Sequence, residues 1–173
     1  SAWLKTHWPA EFLCARLQDW GGFHHQAIYI AEAIRNGLRV RPPHVNWSGR
    51  KFTLTGTQGT ETLWMGLGQI RDLRRKTVAA IVKARSDGPF ADLGELLRRV
   101  TLQPKEIRHL IQCGALDGLG ESRAWMLVES GDLQRSSSAQ QMAFGFAARS
   151  VDPESPAERL AWERHILGQP LSV

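Results

Sequence analysis

Cysteine is scarce in this chain: Cys14 and Cys113 stand far apart with no Cys or His at metal-ligand spacing, so each reads as a small buried apolar residue rather than a ligand. His24 and His25 are adjacent, and a helix directs adjacent side chains apart, which argues against a metal role. No apolar run approaches the roughly 20 residues of a membrane span, and no signal-peptide pattern is visible; a cytoplasmic protein with no membrane partner is expected. Catalytic patterns are missing too. No Asp-x-Asp pair occurs, so the close carboxylates of a two-metal phosphoryl-transfer site are not visible locally. There is no Walker loop. Gly66-Leu67-Gly68 lacks the third glycine of a dinucleotide fingerprint and the βαβ setting such a site needs. Ser, His and Asp are too scattered for a triad. Neither a catalytic residue nor a cofactor is expected in the chain.

What is present is a soluble composition, 42% hydrophobic and 23% charged over 173 residues, long enough for one or two small cores. The charge is unevenly placed. Arg71, Arg74, Arg75, Lys76, Lys83 and Arg85 face Asp72 alone within one short stretch, and that stretch accounts for the whole formal net charge of +5. A concentrated basic run favours a polyphosphate backbone as partner, although it also fits a solvated helix face.

The most informative nine residues are 116–124, Leu-Asp-Gly-Leu-Gly-Glu-Ser-Arg-Ala. Apolar, any, Gly, apolar, Gly, three of any, Ala is the pattern of a hairpin that opens the second helix of a helix-hairpin-helix motif. Gly118 and Gly120 are expected to turn the backbone at positive φ, and Leu119 to pin the hairpin to its own core. Amide N–H groups would then face outward beside the start of a helix at about Glu121, whose positive dipole end points the same way. Such a site, formed by Gly118, Leu119, Gly120, Glu121, Ser122 and Arg123, grips one phosphate and cannot read sequence. The same residues also fit an ordinary helix cap and turn.

Periodicity organises the rest. Pro9 suits the first turn of a helix carrying Phe12, Leu13, Leu17 and Trp20; a second helix from about His24 closes at Asn36-Gly37, and Arg41-Pro42-Pro43 forbids continuation. Phe52 and Leu54 alternate with polar residues, and Leu63-Trp64-Met65 follows a polar turn, a small β-hairpin. Val78, Ile81 and Val82, then Leu93, Leu96, Leu97 and Val100, then Ile107, Leu110 and Ile111 mark three helical faces, and a fourth helix runs from Glu121 through Trp125 and Val128. Two helix pairs in sequence predict a mainly α fold, a tandem helix-hairpin-helix domain with preceding helices and a small β-hairpin. The earlier pair places Ile70-Arg71-Asp72-Leu73-Arg74 where its hairpin belongs, with both glycine slots filled. Neither Asp72 nor Arg74 enters positive φ cheaply, so this hairpin is expected to be degenerate, any DNA contact coming from Arg71, Arg74, Arg75 and Lys76. Residues 131–155 lack periodicity and read as a flexible linker holding one apolar island at 140–146; Ser155-Pro156-Ala157-Glu158 then opens a last helix with a capping box. The expected divisions are 1–62, 63–130, 131–155 and 156–173. A start without Met and a stop just after Pro170 suggest a piece of something larger.

Taken together, these segments resemble the bacterial C-family replicase, the alpha subunit of DNA polymerase III, from the end of its fingers to the region before its OB domain. The residues that carry the resemblance are Ala2 to Phe12 (Ala-Trp-Leu-Lys-Thr-His-Trp-Pro-Ala-Glu-Phe), Arg41-Pro42-Pro43-His44-Val45-Asn46, Gly66-Leu67-Gly68-Gln69-Ile70, Gly88-Pro89-Phe90, Gly114-Ala115-Leu116-Asp117, and Leu160-Ala161-Trp162-Glu163-Arg164 with Leu167-Gly168. Arg41, His44 and the lost glycines of the first hairpin are departures. The resemblance implies a parent nucleotidyltransferase whose catalytic aspartates and magnesium belong to a preceding palm domain. It implies duplex DNA, the rest of the polymerase chain and a sliding clamp as partners. It also implies an internal clamp-binding motif, of which Gln140 and Phe144 match the ends, Met142 lies inside, and Ala143 replaces a larger apolar residue. Translesion relatives share this layout. A stand-alone helix-hairpin-helix scaffold for protein interaction and a structure-specific nuclease are the rival readings.

Overall fold

The computed structural model describes residues 2–19, 23–57, 59–138 and 151–171, with side chains for all of these except 3–5, 23–25 and 136–138. Gln140, Met142, Ala143 and Phe144, on which the clamp-docking expectation rests, lie outside the described residues, as do the side chains of His24 and His25.

Proline and glycine punctuate the first part as the sequence predicts. Helix α1 (Ala2–His7) stops before Pro9, whose fixed φ opens α2 (Pro9–Asp19). Ala10, Leu13, Cys14 and Leu17 recur at helical spacing and bury one face of α2. Helix α3 (Phe23–Arg35) ends with Gly37 at φ 79° and the Leu38 amide bonded to the Ala33 carbonyl at 3.0 Å, a left-handed cap that returns the chain toward the core.

The β element is larger than the expected hairpin. Strand β1 (Arg39–Arg41) runs parallel to β3 (Thr62–Trp64), which pairs antiparallel with β2 (Thr53–Thr55), giving a three-stranded sheet in the order β1-β3-β2. Val40, Leu63 and Leu54 share a register position and pack on the core, while Phe52 and Met65 flank the strands as buried residues.

After β3 the chain folds against the 49–51 loop. The Leu67 and Gly68 amides donate to the Gly49 and Arg50 carbonyls, each at 2.9 Å. A Cβ at Gly66 would stand 2.5 Å from the Arg50 carbonyl oxygen and one at Gly68 2.8 Å from the same atom. These glycines therefore let backbone lie on backbone.

The helical part comprises α4 (Arg75–Ala84), α5 (Leu93–Arg99), α6 (Pro104–Gln112), α7 (Arg123–Ser138) and α8 (Pro156–Leu167). Asp92 caps α5, and capping boxes of Gln103 with Glu106 and Ser155 with Glu158 open α6 and α8. Two expectations change here. Residues 131–138, expected as linker, continue α7 as helix. The last helix packs on the core: Ile166 and Leu167 are buried in the same cluster as Leu110, Leu116 and Met126. That cluster also takes in Leu13, Leu17, Val45 and Phe52, so the core runs continuously across the division expected at residue 62. The chain is mainly α with one small sheet, as its periodicity predicts.

Candidate nucleic-acid interface

Leu116 and Leu119 are buried and bracket Gly118, which holds φ 88°. Gly120 is not at positive φ, contrary to expectation. Its reason is space: a Cβ there would sit 2.6 Å from the Met126 Cγ, so the second glycine admits α7 close to the hairpin. Helix α7 begins at Arg123 rather than Glu121, because Ser122 is its cap, the hydroxyl accepting from the Trp125 amide at 3.0 Å. The next amide, of Ala124, donates to the Glu154 carboxylate at 3.0 Å. Burial pushes the Glu154 carboxyl up, but the Ala124 amide and Arg159 more than reverse this and hold it below the usual range. The positive end of α7 thus already carries an anion. What remains for a phosphate is the hairpin itself: among the described residues the N–H groups of Gly118, Gly120 and Glu121 find no acceptor, whereas Leu119 donates to the Leu116 carbonyl at 3.0 Å.

Two residues expected at the phosphate are redirected. Leu119 packs on the core as expected, but its amide is taken by the Leu116 carbonyl and is not offered to a phosphate. Arg123 is only 2% exposed and cannot reach DNA: its Nε and Nη2 donate to the two Asp117 oxygens at 2.9 and 2.7 Å, and its Nη1 to the Gln112 carbonyl and the buried Glu163 carboxylate, each at 3.0 Å.

The first hairpin keeps the shape that its sequence was expected to lose. Asp72 adopts φ 62°, the one non-glycine residue at positive φ among those described, and so stands where Gly118 stands in the second hairpin. Aspartate enters this region more readily than most residues because its short polar side chain can bond locally. Lys105 bonds the carboxylate at 2.8 Å and holds its pKa below the usual range, so its negative charge is countered on the spot.

Arg74, expected among the DNA-contacting cations, is engaged within the protein. Its Nε and Nη2 donate to the two oxygens of Glu106 at 2.8 and 2.7 Å, its own amide adds a bond at 3.1 Å, and the Thr77 hydroxyl another at 2.8 Å. Each hairpin is therefore backed by a buried glutamate from another helix, Glu106 of α6 and Glu163 of α8. Helix α8 joins the two, since the Arg71 amide also donates to the Ile166 carbonyl at 3.2 Å.

The cations left exposed at the first hairpin are Arg71, Arg75 and Lys76. Arg75 shares a groove of about 360 Å³ with Arg50 and Lys51, lined also by Asp19 and Leu73. Sequence reasoning missed Arg50 and Lys51. They lie in a loop some twenty residues upstream, and the only local signal was the glycine pair at 66 and 68 that lets this loop pack against the hairpin. Among the described residues no group of three or more His, Cys, Asp or Glu side chains converges as a metal-dependent nuclease would need. No helix among them is long and apolar enough to cross a membrane.

Comparison with known proteins agrees with this geometry. The family model of the helix-hairpin-helix motif matches residues 37–126. An error-prone DNA polymerase of Anaeromyxobacter sp. (strain K) is 32% identical over 189 aligned positions, covering 100% of this chain and 17% of that protein. An error-prone DNA polymerase of Pseudomonas aeruginosa is 33% identical, covering 99% of this chain and 17% of its own length. A DNA polymerase III subunit alpha of Xylella fastidiosa is 32% identical over 92% of this chain and 14% of that protein. The chain thus spans about one sixth of the length of these relatives.

Proposed function

The chain belongs to the helix-hairpin-helix family and matches one segment of the alpha chain of bacterial polymerases, and on that premise we propose that it is a non-catalytic part of such a polymerase, holding duplex DNA by its phosphates in the bacterial cytoplasm. The observation that carries this reading is the second hairpin. Gly118 at φ 88° is pinned between buried leucines, and the amides of Gly118, Gly120 and Glu121 are left without acceptors among the described residues. Backbone N–H groups of this kind suit a phosphate oxygen and carry no base readout. Asp72 gives the first hairpin the same turn, while Arg71, Arg75 and Lys76, with Arg50 and Lys51 nearby, add sequence-independent attraction. In this reading the nucleotidyl-transfer chemistry and its magnesium belong to another portion of the polymerase, and replicative and error-prone branches are equally compatible.

Three or four phosphate contacts give a log–log salt slope of about −3 to −4 and nearly equal affinities for duplexes of unrelated sequence. Fluorescence anisotropy at several salt concentrations measures both. A slope near zero would favour the rival reading, a protein-interaction scaffold, and a strong preference for one duplex would also defeat the phosphate grip.

The same polymerase reading includes a tether to the sliding clamp through Gln140, Met142, Ala143 and Phe144. Because Ala143 fills less of an apolar pocket than leucine, Ala143→Leu is expected to tighten binding by roughly 1 to 2 kcal/mol. Titrating the clamp with a peptide covering residues 139–146 and its Phe144→Ala form decides the matter. Equal binding by the two peptides would remove the tether.

A further inference from the structure

The hairpins leave unused an aromatic surface on the outer face of the sheet. Trp47 is 54% exposed, and its ring stacks on that of Trp64 at 6.3 Å between centroids and 21° between planes. An exposed indole is ordinarily mobile, but this one is held from several sides. The Trp64 Nε1 donates to the Thr55 hydroxyl at 2.9 Å, and the His44 ring lies against Trp64 with centroids 5.8 Å apart. His44 is itself fixed: Nδ1 accepts from the Asn46 amide at 3.1 Å, so Nε2 carries the proton and donates to the Asp117 carbonyl at 2.9 Å. Arg85 reaches under the Trp47 turn and donates to the Val45 and Ser48 carbonyls at 2.9 and 2.8 Å.

Charge completes the surface. Because Val40 faces the core with Leu63, strand alternation turns Arg39 and Arg41 to the opposite face, where both are exposed and Arg41 is in register with Trp64. Among the described residues neither guanidinium has an acidic partner. An exposed indole stacked on Trp64, with two such cations on the same face of the sheet as Trp64, offers a ring a flat apolar face and a phosphate two donors.

We infer that Trp47, supported by Trp64 and with Arg39 and Arg41 on the same sheet face as Trp64, is a stacking platform for single-stranded DNA. The bases of a duplex already stack on one another and offer no free face, so the ligand that fits both ring and charge is an unpaired nucleotide within a strand. Recognition is sequence-tolerant, since every base has a π face. The Trp47 ring lies outside the residues assigned to the duplex grip, although His44 beside it is bonded to the Asp117 carbonyl of the second hairpin.

The test uses a labelled oligothymidylate and a labelled duplex, titrated in parallel into the chain, its Trp47→Ala and Trp47→Phe variants, and an Arg39→Ala/Arg41→Ala double variant. Trp47 is exposed, so its removal leaves the fold intact. Base–aromatic stacking of about 1 to 3 kcal/mol predicts that Trp47→Ala weakens oligothymidylate binding by about five- to 150-fold, that Trp47→Phe restores most of it, and that duplex affinity stays unchanged. The double arginine variant lowers the single-strand salt slope by about one. No oligothymidylate binding by the unaltered chain, equal binding by Trp47→Ala, or parallel loss of single-strand and duplex binding would each overturn the platform.

Discussion

Replacing Arg123 with methionine is expected to lower the unfolding free energy by about 3 to 5 kcal/mol, the usual consequence of removing one member of a buried ion pair. Glu163 is fully buried, and apart from Arg123 its carboxylate accepts from the Leu171 amide at 2.8 Å. Removing the guanidinium also frees Asp117, whose carboxylate it brackets with two bonds inside the second hairpin. Denaturant unfolding measures the loss. A partner variant makes the mechanism visible: Arg123→Met combined with Glu163→Met removes both charges and recovers much of the stability, because no buried charge is then stranded. A loss below about 1 kcal/mol for Arg123→Met would mean that the buried pair does not hold the hairpin to α8.

Acid is expected to loosen the first hairpin through Glu106. Burial pushes this carboxyl up, but bonds from the Arg74 guanidinium, the Gln103 amide, the Thr77 hydroxyl and the Arg74 amide outweigh it, so the pKa falls from 4.5 to about 2. A folded-state pKa below the unfolded value stabilises the native state above the unfolded pKa. That contribution is lost as pH falls from 4.5 toward 2. The amount is about 3 kcal/mol at most. The Glu154 carboxyl is also held below its usual range, so the informative quantity is the difference between the chain and Glu106→Gln. The variant is less stable at neutral pH and loses less on acidification. Equal acid-induced losses in the two proteins would show that Glu106 is not held as the geometry indicates.

Features written in local chemistry were legible from the sequence. Pro9, the Asn36-Gly37 stop, the Ser155 capping box, the apolar faces of α4 to α6 and the turn at Gly118 each need only neighbours a few residues away. Strand β1 was not legible, because three residues ending at a Pro-Pro pair become a strand only through a parallel partner some twenty residues later. Charge counting put Arg74, and the hairpin pattern put Arg123, among the DNA-contacting residues, yet their partners Glu106 and Glu163 lie 32 and 40 positions away. Nothing local distinguishes a buried arginine from an exposed one. Propensity argued against Asp72 at positive φ, and the surrounding packing with Lys105 overrode it. The serine run at 136–138 and Gly131 likewise weakened the helical pattern that α7 nevertheless continues.

Amide chemical shifts recorded while duplex DNA is titrated into the chain test the hairpin grip most directly. The largest changes are expected at Gly118, Gly120 and Glu121, with a second set at Asp72 and Leu73 and at the neighbouring Arg71, Arg75 and Lys76. Binding that leaves both hairpins silent while shifts gather elsewhere would contradict the assignment of the phosphate grip to these turns.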